Sequence, residues 1–111
     1  MTLTTEIIEK GNYIICYLNG RIVYETENLL KQAVEEILHQ KMKKNIIMNF
    51  RDLTYINSSG IGLLVKILRE VNGAGGELRL CSLQPAILEV FKITNLNQVF
   101  KIFSTEEEAL V

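Results

Sequence analysis

Apolar residues in this chain fall into short runs separated by glycine and polar punctuation. Residues 3–9 and 13–19 each read as a strand, and Gly11-Asn12 between them predicts a hairpin. Gly20 ends the second run, and Arg21-Ile22-Val23-Tyr24 leads into a helix starting near Thr26, a residue suited to an N-cap. Leu29, Leu30, Ala33, Val34, Ile37 and Leu38 recur at helical spacing, with Lys31, Gln32, Glu35 and Glu36 opposite. Residues 45–50 are almost continuously apolar, the pattern of a strand covered on both faces. Residues 51–57 are polar and irregular. A second helix opens at Ser58-Ser59-Gly60 and buries Ile61, Leu63, Leu64, Ile67, Leu68 and Val71, with Gly60 and Gly62 allowing close packing on the sheet. Gly73-Ala74-Gly75-Gly76 stops it. Residues 77–83 form the next strand, and Pro85 suits the first turn of a third helix that uses Ile87, Leu88, Val90 and Phe91 as core and ends near Asn95. Residues 99–103 form the last strand. Ser104, with Glu107 reaching back, matches a capping box for a short terminal helix.

The order β-β-α-β-α-β-α-β-α predicts an α/β fold: a mixed, mostly parallel sheet of four to five strands with about four helices and right-handed crossovers. The opening hairpin adds an antiparallel strand at one edge. At 111 residues the chain suits one domain, residues 1–111.

Composition narrows the function classes. Net charge is −1, and Lys41-Met42-Lys43-Lys44 is the one basic cluster, which reads as a solvated helix end with no nucleic-acid footprint. Cys16 and Cys81 sit inside apolar runs and predict buried free thiols, in keeping with a reducing cytosol. The first residues carry neither the basic nor the apolar region of a signal peptide. No apolar run approaches the roughly 18 residues of a membrane span. A cytoplasmic protein without membrane insertion is expected.

Reactive chemistry is sparse. His39, the one histidine, is expected to face solvent beside Gln40 and Lys41. No Cys-x-x-Cys, His-Glu-x-x-His or acidic calcium loop occurs, so neither metal nor cofactor is expected. Gly60-Ile61-Gly62 lacks the third glycine of a dinucleotide loop. Gly73-Ala74-Gly75-Gly76 lacks the Gly-Lys-Ser/Thr of a P-loop and precedes a strand, so nucleotide binding is the weakest alternative. Ser58 and Ser59 have no histidine or lysine nearby and no nucleophile elbow. No catalytic residue is expected, and the chain reads as a binding module without enzymatic activity.

The informative stretch is residues 51–64. A buried strand ends at Phe50, and the chain crosses the carboxyl edge of the sheet, where ligands and partners of such folds dock. It then enters a helix through Asn57-Ser58-Ser59-Gly60. Two hydroxyls stand where backbone N–H groups lack partners and the macrodipole is positive. A phosphate on Ser58 would be tolerated there and would change the local charge by about −2. Asn57, Ser58 and Ser59 are also a plain N-cap set, and composition and spacing alone favour that interpretation over a phosphate site.

This stretch resembles the signature of the STAS domain in the bacterial anti-sigma factor antagonist family, Asp-Leu-x-x-Ile/Met-Asp-Ser-Ser/Thr-Gly-Leu-Gly-x-Leu. Asp52-Leu53, Ile56, Ser58-Ser59-Gly60, Gly62 and Leu64 match it. Gly20-Arg21 resembles the family's turn after the second strand, and Gly75-Gly76-Glu77-Leu78 its helix-to-strand turn. Leu83-Gln84-Pro85 and Ile93-Thr94-Asn95-Leu96 resemble its third helix and the following loop, and residues 105–109 its acidic tail. The resemblance implies an anti-sigma factor antagonist that binds an anti-sigma factor, itself a serine kinase, and so releases a sigma factor. It implies phosphorylation at Ser58 (Ser59 second), reversed by a phosphoserine phosphatase. The implied partner surface is Arg21, Val23, Tyr24, Asn57, Ser58, Ser59, Gly60 and Ile61. Two positions depart from the pattern: Asn57 stands for the motif aspartate, and Val23 for the aspartate after Gly20-Arg21-Ile22. They motivate an alternative, a STAS scaffold or transporter-associated module unconnected to a sigma factor.

Overall fold

The computed structural model describes residues 2–40 and 45–111, without the Gln40 side chain; the basic cluster at 41–44 lies outside the described residues. The strands are β1 (Leu3–Lys10), β2 (Tyr13–Ile22), β3 (Asn45–Ile56), β4 (Glu77–Cys81) and β5 (Lys101–Phe103). The helices are α1 (Glu27–Glu35), α2 (Ser58–Gly73), α3 (Pro85–Ile93) and α4 (Glu106–Ala109). The sheet order is β1-β2-β3-β4-β5, with β1 antiparallel to β2 and every other pair parallel.

Strand side chains alternate between two unequal cores. Ile14, Cys16 and Leu18 of β2, Ile46, Met48 and Phe50 of β3, and Leu78 and Leu80 of β4 pack with Leu30 and Val34 of α1, Leu64, Ile67 and Val71 of α2, and Ile87 and Phe91 of α3. Ile15, Ile47 and Cys81 point to the other side, where Ala109 of α4 closes a far smaller cluster. Both cysteines are free and buried, as expected. Burial pushes the Cys16 thiol up to about 12 and the Cys81 thiol up to about 11.

Several boundaries differ from the sequence expectation. β2 does not end at Gly20. It continues to Ile22 through a register shift, because Gly20 takes φ +122°, and a Cβ there would lie 2.3 Å from the Thr2 carbonyl oxygen. β3 likewise continues through residues 51–56, with Leu53 and Ile56 buried. The register shifts space Phe50, Leu53 and Ile56 by three, so the alternation that marks a strand is lost and the segment looks irregular. Thr26 holds the N-cap position of α1, but its hydroxyl accepts no hydrogen bond from that helix. It donates to the Arg21 carbonyl at 2.7 Å and accepts from Val23 N at 3.0 Å, closing the turn between β2 and α1.

Leu29 and Val90, expected in the core, are exposed, whereas Ile87 and Phe91 are buried. Strand β4 ends at Cys81 because Ser82 turns to φ +61°. Helix α3 ends at Ile93, and Asn95 at φ +60° turns the chain into a short 3-10 segment, Leu96–Gln98, before β5. The last helix is capped one residue later than expected: Thr105 Oγ1 accepts from Glu108 N at 3.1 Å, and Glu108 Oε1 accepts from Ser104 N at 3.2 Å. Two Ser/Thr and three Glu in succession offer two frames for one capping box, and the later one puts Ala109 in the core.

Candidate partner-binding site

The candidate site is built at the rim of the three-helix face, where β2 and β3 run out together. Asn57 N donates to the Ile22 carbonyl at 3.2 Å, which seats the start of α2 against the end of β2. The Asn57 side chain accepts from Gly60 N at 2.8 Å, so Asn57 is the N-cap, and Ser58 and Ser59 are the first two helical residues. Their N–H groups are the unpaired donors of a helix start. Gly60 fits this junction because a Cβ there would lie 2.7 Å from Ile22 Cγ2 and 2.8 Å from Ile56 Cγ1. Gly62, expected to serve close packing as well, is exposed, and a Cβ there would meet nothing within 4 Å.

The eight expected partner residues come to one rim but divide by burial. Ser58, Ser59, Arg21 and Tyr24 are exposed, with Tyr24 79% accessible. Asn57 and Ile61 are half-buried, while Val23 and Gly60 are buried and act from beneath the surface. Of the two departures from the motif, Asn57 keeps the capping function and drops the charge, and Val23 is a packing residue. Tyr55 and Glu27 were not anticipated. Arg21 pairs with Tyr55 across the sheet, and its guanidinium lies 4.7 Å from the Tyr55 ring centre. Glu27 opens α1 and accepts a hydrogen bond from Ser59 Oγ at 2.5 Å. The Ser58 hydroxyl makes no hydrogen bond among the described residues. The signal that could have revealed Glu27 is its place in the first turn of a helix that must lie beside α2. The Tyr55 contact depended on knowing that β3 extends past Phe50.

His39 is exposed beside Glu35, with Nε2 3.3 Å from the carboxylate. It lies twelve residues beyond Glu27, about 18 Å along a helical path. Among the described residues no group of His, Cys, Asp or Glu could hold a metal ion, and no helix is long and apolar enough to cross a membrane.

Fold and rim together define a small α/β module that presents two hydroxyls at a helix start, flanked by tyrosine and arginine. The chain belongs to the STAS domain family, whose model matches residues 4–109. The anti-sigma F factor antagonist of Paenibacillus polymyxa is 23% identical over 110 residues, covering 99% of this chain and 94% of that protein. The structure of the Bacillus cell fate determinant SpoIIAA in its phosphorylated form superimposes with a TM-score of 0.72 at 25% identity, covering 98% of this chain and 96% of that one. An anti-sigma factor antagonist from Mycobacterium paratuberculosis shares the fold with a TM-score of 0.86 at 18% identity, covering 98% and 92% of the two chains.

Proposed function

We propose that this chain is an anti-sigma factor antagonist, switched by phosphate at Ser58. It binds an anti-sigma factor that is also a serine kinase and thereby frees a sigma factor in the cytoplasm. Phosphorylation ends the complex, and a phosphoserine phosphatase restores it. One observation carries this function. Ser58 is the first residue of α2, exposed and without a side-chain hydrogen bond among the described residues, on the same rim as Arg21 and Tyr24. A phosphate there adds about two negative charges to a surface whose contacts are tyrosine, arginine and hydroxyl. Such a charge meets unpaired N–H groups in the free protein but breaks a packed interface. Relatives named as anti-sigma F and anti-sigma-B factor antagonists favour the sigma-pathway function over the transporter-associated alternative.

The test is phosphosite mapping by tandem mass spectrometry after incubation with the cognate anti-sigma kinase and magnesium ATP. One phosphate is expected, on Ser58, and none in Ser58→Ala. Modification confined to another residue, or none with any cognate kinase of the host, contradicts it.

A further inference from the structure

We infer that Glu27 decides which of the two adjacent serines can carry a phosphate, closing Ser59 and leaving Ser58 as the acceptor. This rests on the phosphoacceptor role proposed above and adds the residue that sets its specificity. Phosphoryl transfer from a nucleoside triphosphate held by the kinase forms a bond from serine Oγ to the γ-phosphorus. It breaks the bond from that phosphorus to the bridging oxygen, passes the hydroxyl proton to a base and releases the diphosphate. At Ser59 the attacking oxygen is already donating to Glu27 Oε2 at 2.5 Å. It must first leave that carboxylate, and the product dianion then stands beside it. Like charge at that range disfavours the dianion.

Ser59 lines a shallow cleft of about 280 Å³ between α1 and α2, together with Glu27, Lys31, Gly62, Leu63 and Lys66. Ser58 does not line it. One position earlier on a helix, its side chain leaves the axis about 100° away. Neither Lys31 nor Lys66 makes an ion pair among the described residues. Of these three charges only Glu27 touches the Ser59 hydroxyl, at 2.5 Å, so it is the group that makes this position hostile to a phosphate. Without its charge, the charged residues left lining the cleft would be Lys31 and Lys66, and its preference would turn toward a phosphate.

The test places phosphoserine genetically at position 58 or 59 of the full chain, in wild-type and Glu27→Gln backgrounds, and follows the second pKa of the phosphate by ³¹P NMR. In the wild-type background the phosphate on Ser59 should titrate about half a pH unit above that on Ser58. Glu27→Gln should bring the Ser59 phosphate down to or below the Ser58 value and leave the Ser58 phosphate where it was. A Ser59 phosphate that Glu27→Gln does not move, or two phosphates that move equally, overturns the inference. If phosphate at 59 prevents folding, circular dichroism decides. Rescue of the fold by Glu27→Gln supports the inference, and failure in both backgrounds overturns it. No kinase enters this titration. A kinase that ignores Ser58 in the wild-type chain contradicts the proposed function alone, so the two failures are distinguishable.

Discussion

The two faces of the sheet are covered in different ways. On one, α1, α2 and α3 bury a continuous apolar cluster that includes Phe50, Leu64 and Phe91. On the other, the four-residue helix α4 sets Ala109 against Ile15, Ile47 and Cys81, and polar contacts tie that helix down. Glu106 accepts from Lys10 Nζ at 2.7 Å and from Asn49 Nδ2 at 3.1 Å. Arg79 donates to the carbonyls of Ala109 at 2.6 Å and Val111 at 2.9 Å, with its guanidinium over the Tyr13 and Phe103 rings. A face held by apolar burial is insensitive to pH, whereas a face held by a carboxylate is not. The switch site proposed above stands at the rim of the first face, on a cap and two exposed hydroxyls, away from the side chains of both cores.

Truncating the three-helix core should give the largest effect. Phe91 is fully buried and meets Phe100 edge-on at 5.6 Å, so Phe91→Ala should cost about 3–5 kcal/mol in urea denaturation. A loss under about 1 kcal/mol would erase the contrast between the faces.

The α4 face should respond to acid. Burial alone would raise the Glu106 carboxyl, but hydrogen bonds from Lys10, Tyr17 and Asn49 outweigh it and hold the group below its ordinary value. A depressed carboxyl contributes stability that is fully present above the unfolded value, about pH 4.3, and is lost as pH falls through the folded one. Urea midpoints should therefore fall below that pH, and Glu106→Gln should flatten this acid limb. An unchanged limb would mean that Glu106 does not hold α4.

At the rim the expected change is smaller. Asn57→Ala removes the cap on Gly60 N and should cost about 1 kcal/mol, whereas Asn57→Asp should keep the cap and restore the motif's charge. Equal losses in the two variants would deny Asn57 its capping role.

The same division explains what the sequence made legible. Element order, the edge hairpin, the buried cysteines and the helix start at Ser58 all follow from local pattern, and all are present in the structure. What escaped depends on contacts between distant segments. The extension of β3 to Ile56 hides behind register shifts against β2, which no local period reports. Thr26 looks like a cap, but the turn at Arg21 claims its hydroxyl. Glu27 and Ser59 lie 32 residues apart and meet because α1 and α2 lie side by side on one face. The motif therefore marked the helix start that bears Ser58 and Ser59, while the contact between Ser59 and Glu27 needed the packing of α1 on α2.

The most direct measurement is calorimetric titration of the cognate anti-sigma factor with three forms of this chain: unmodified, Ser58→Ala, and phosphorylated at Ser58. Unmodified and alanine forms should bind with similar affinity, and the phosphorylated form at least about tenfold more weakly, a difference of about 1.4 kcal/mol. Equal affinity of all three forms would contradict the switch at Ser58.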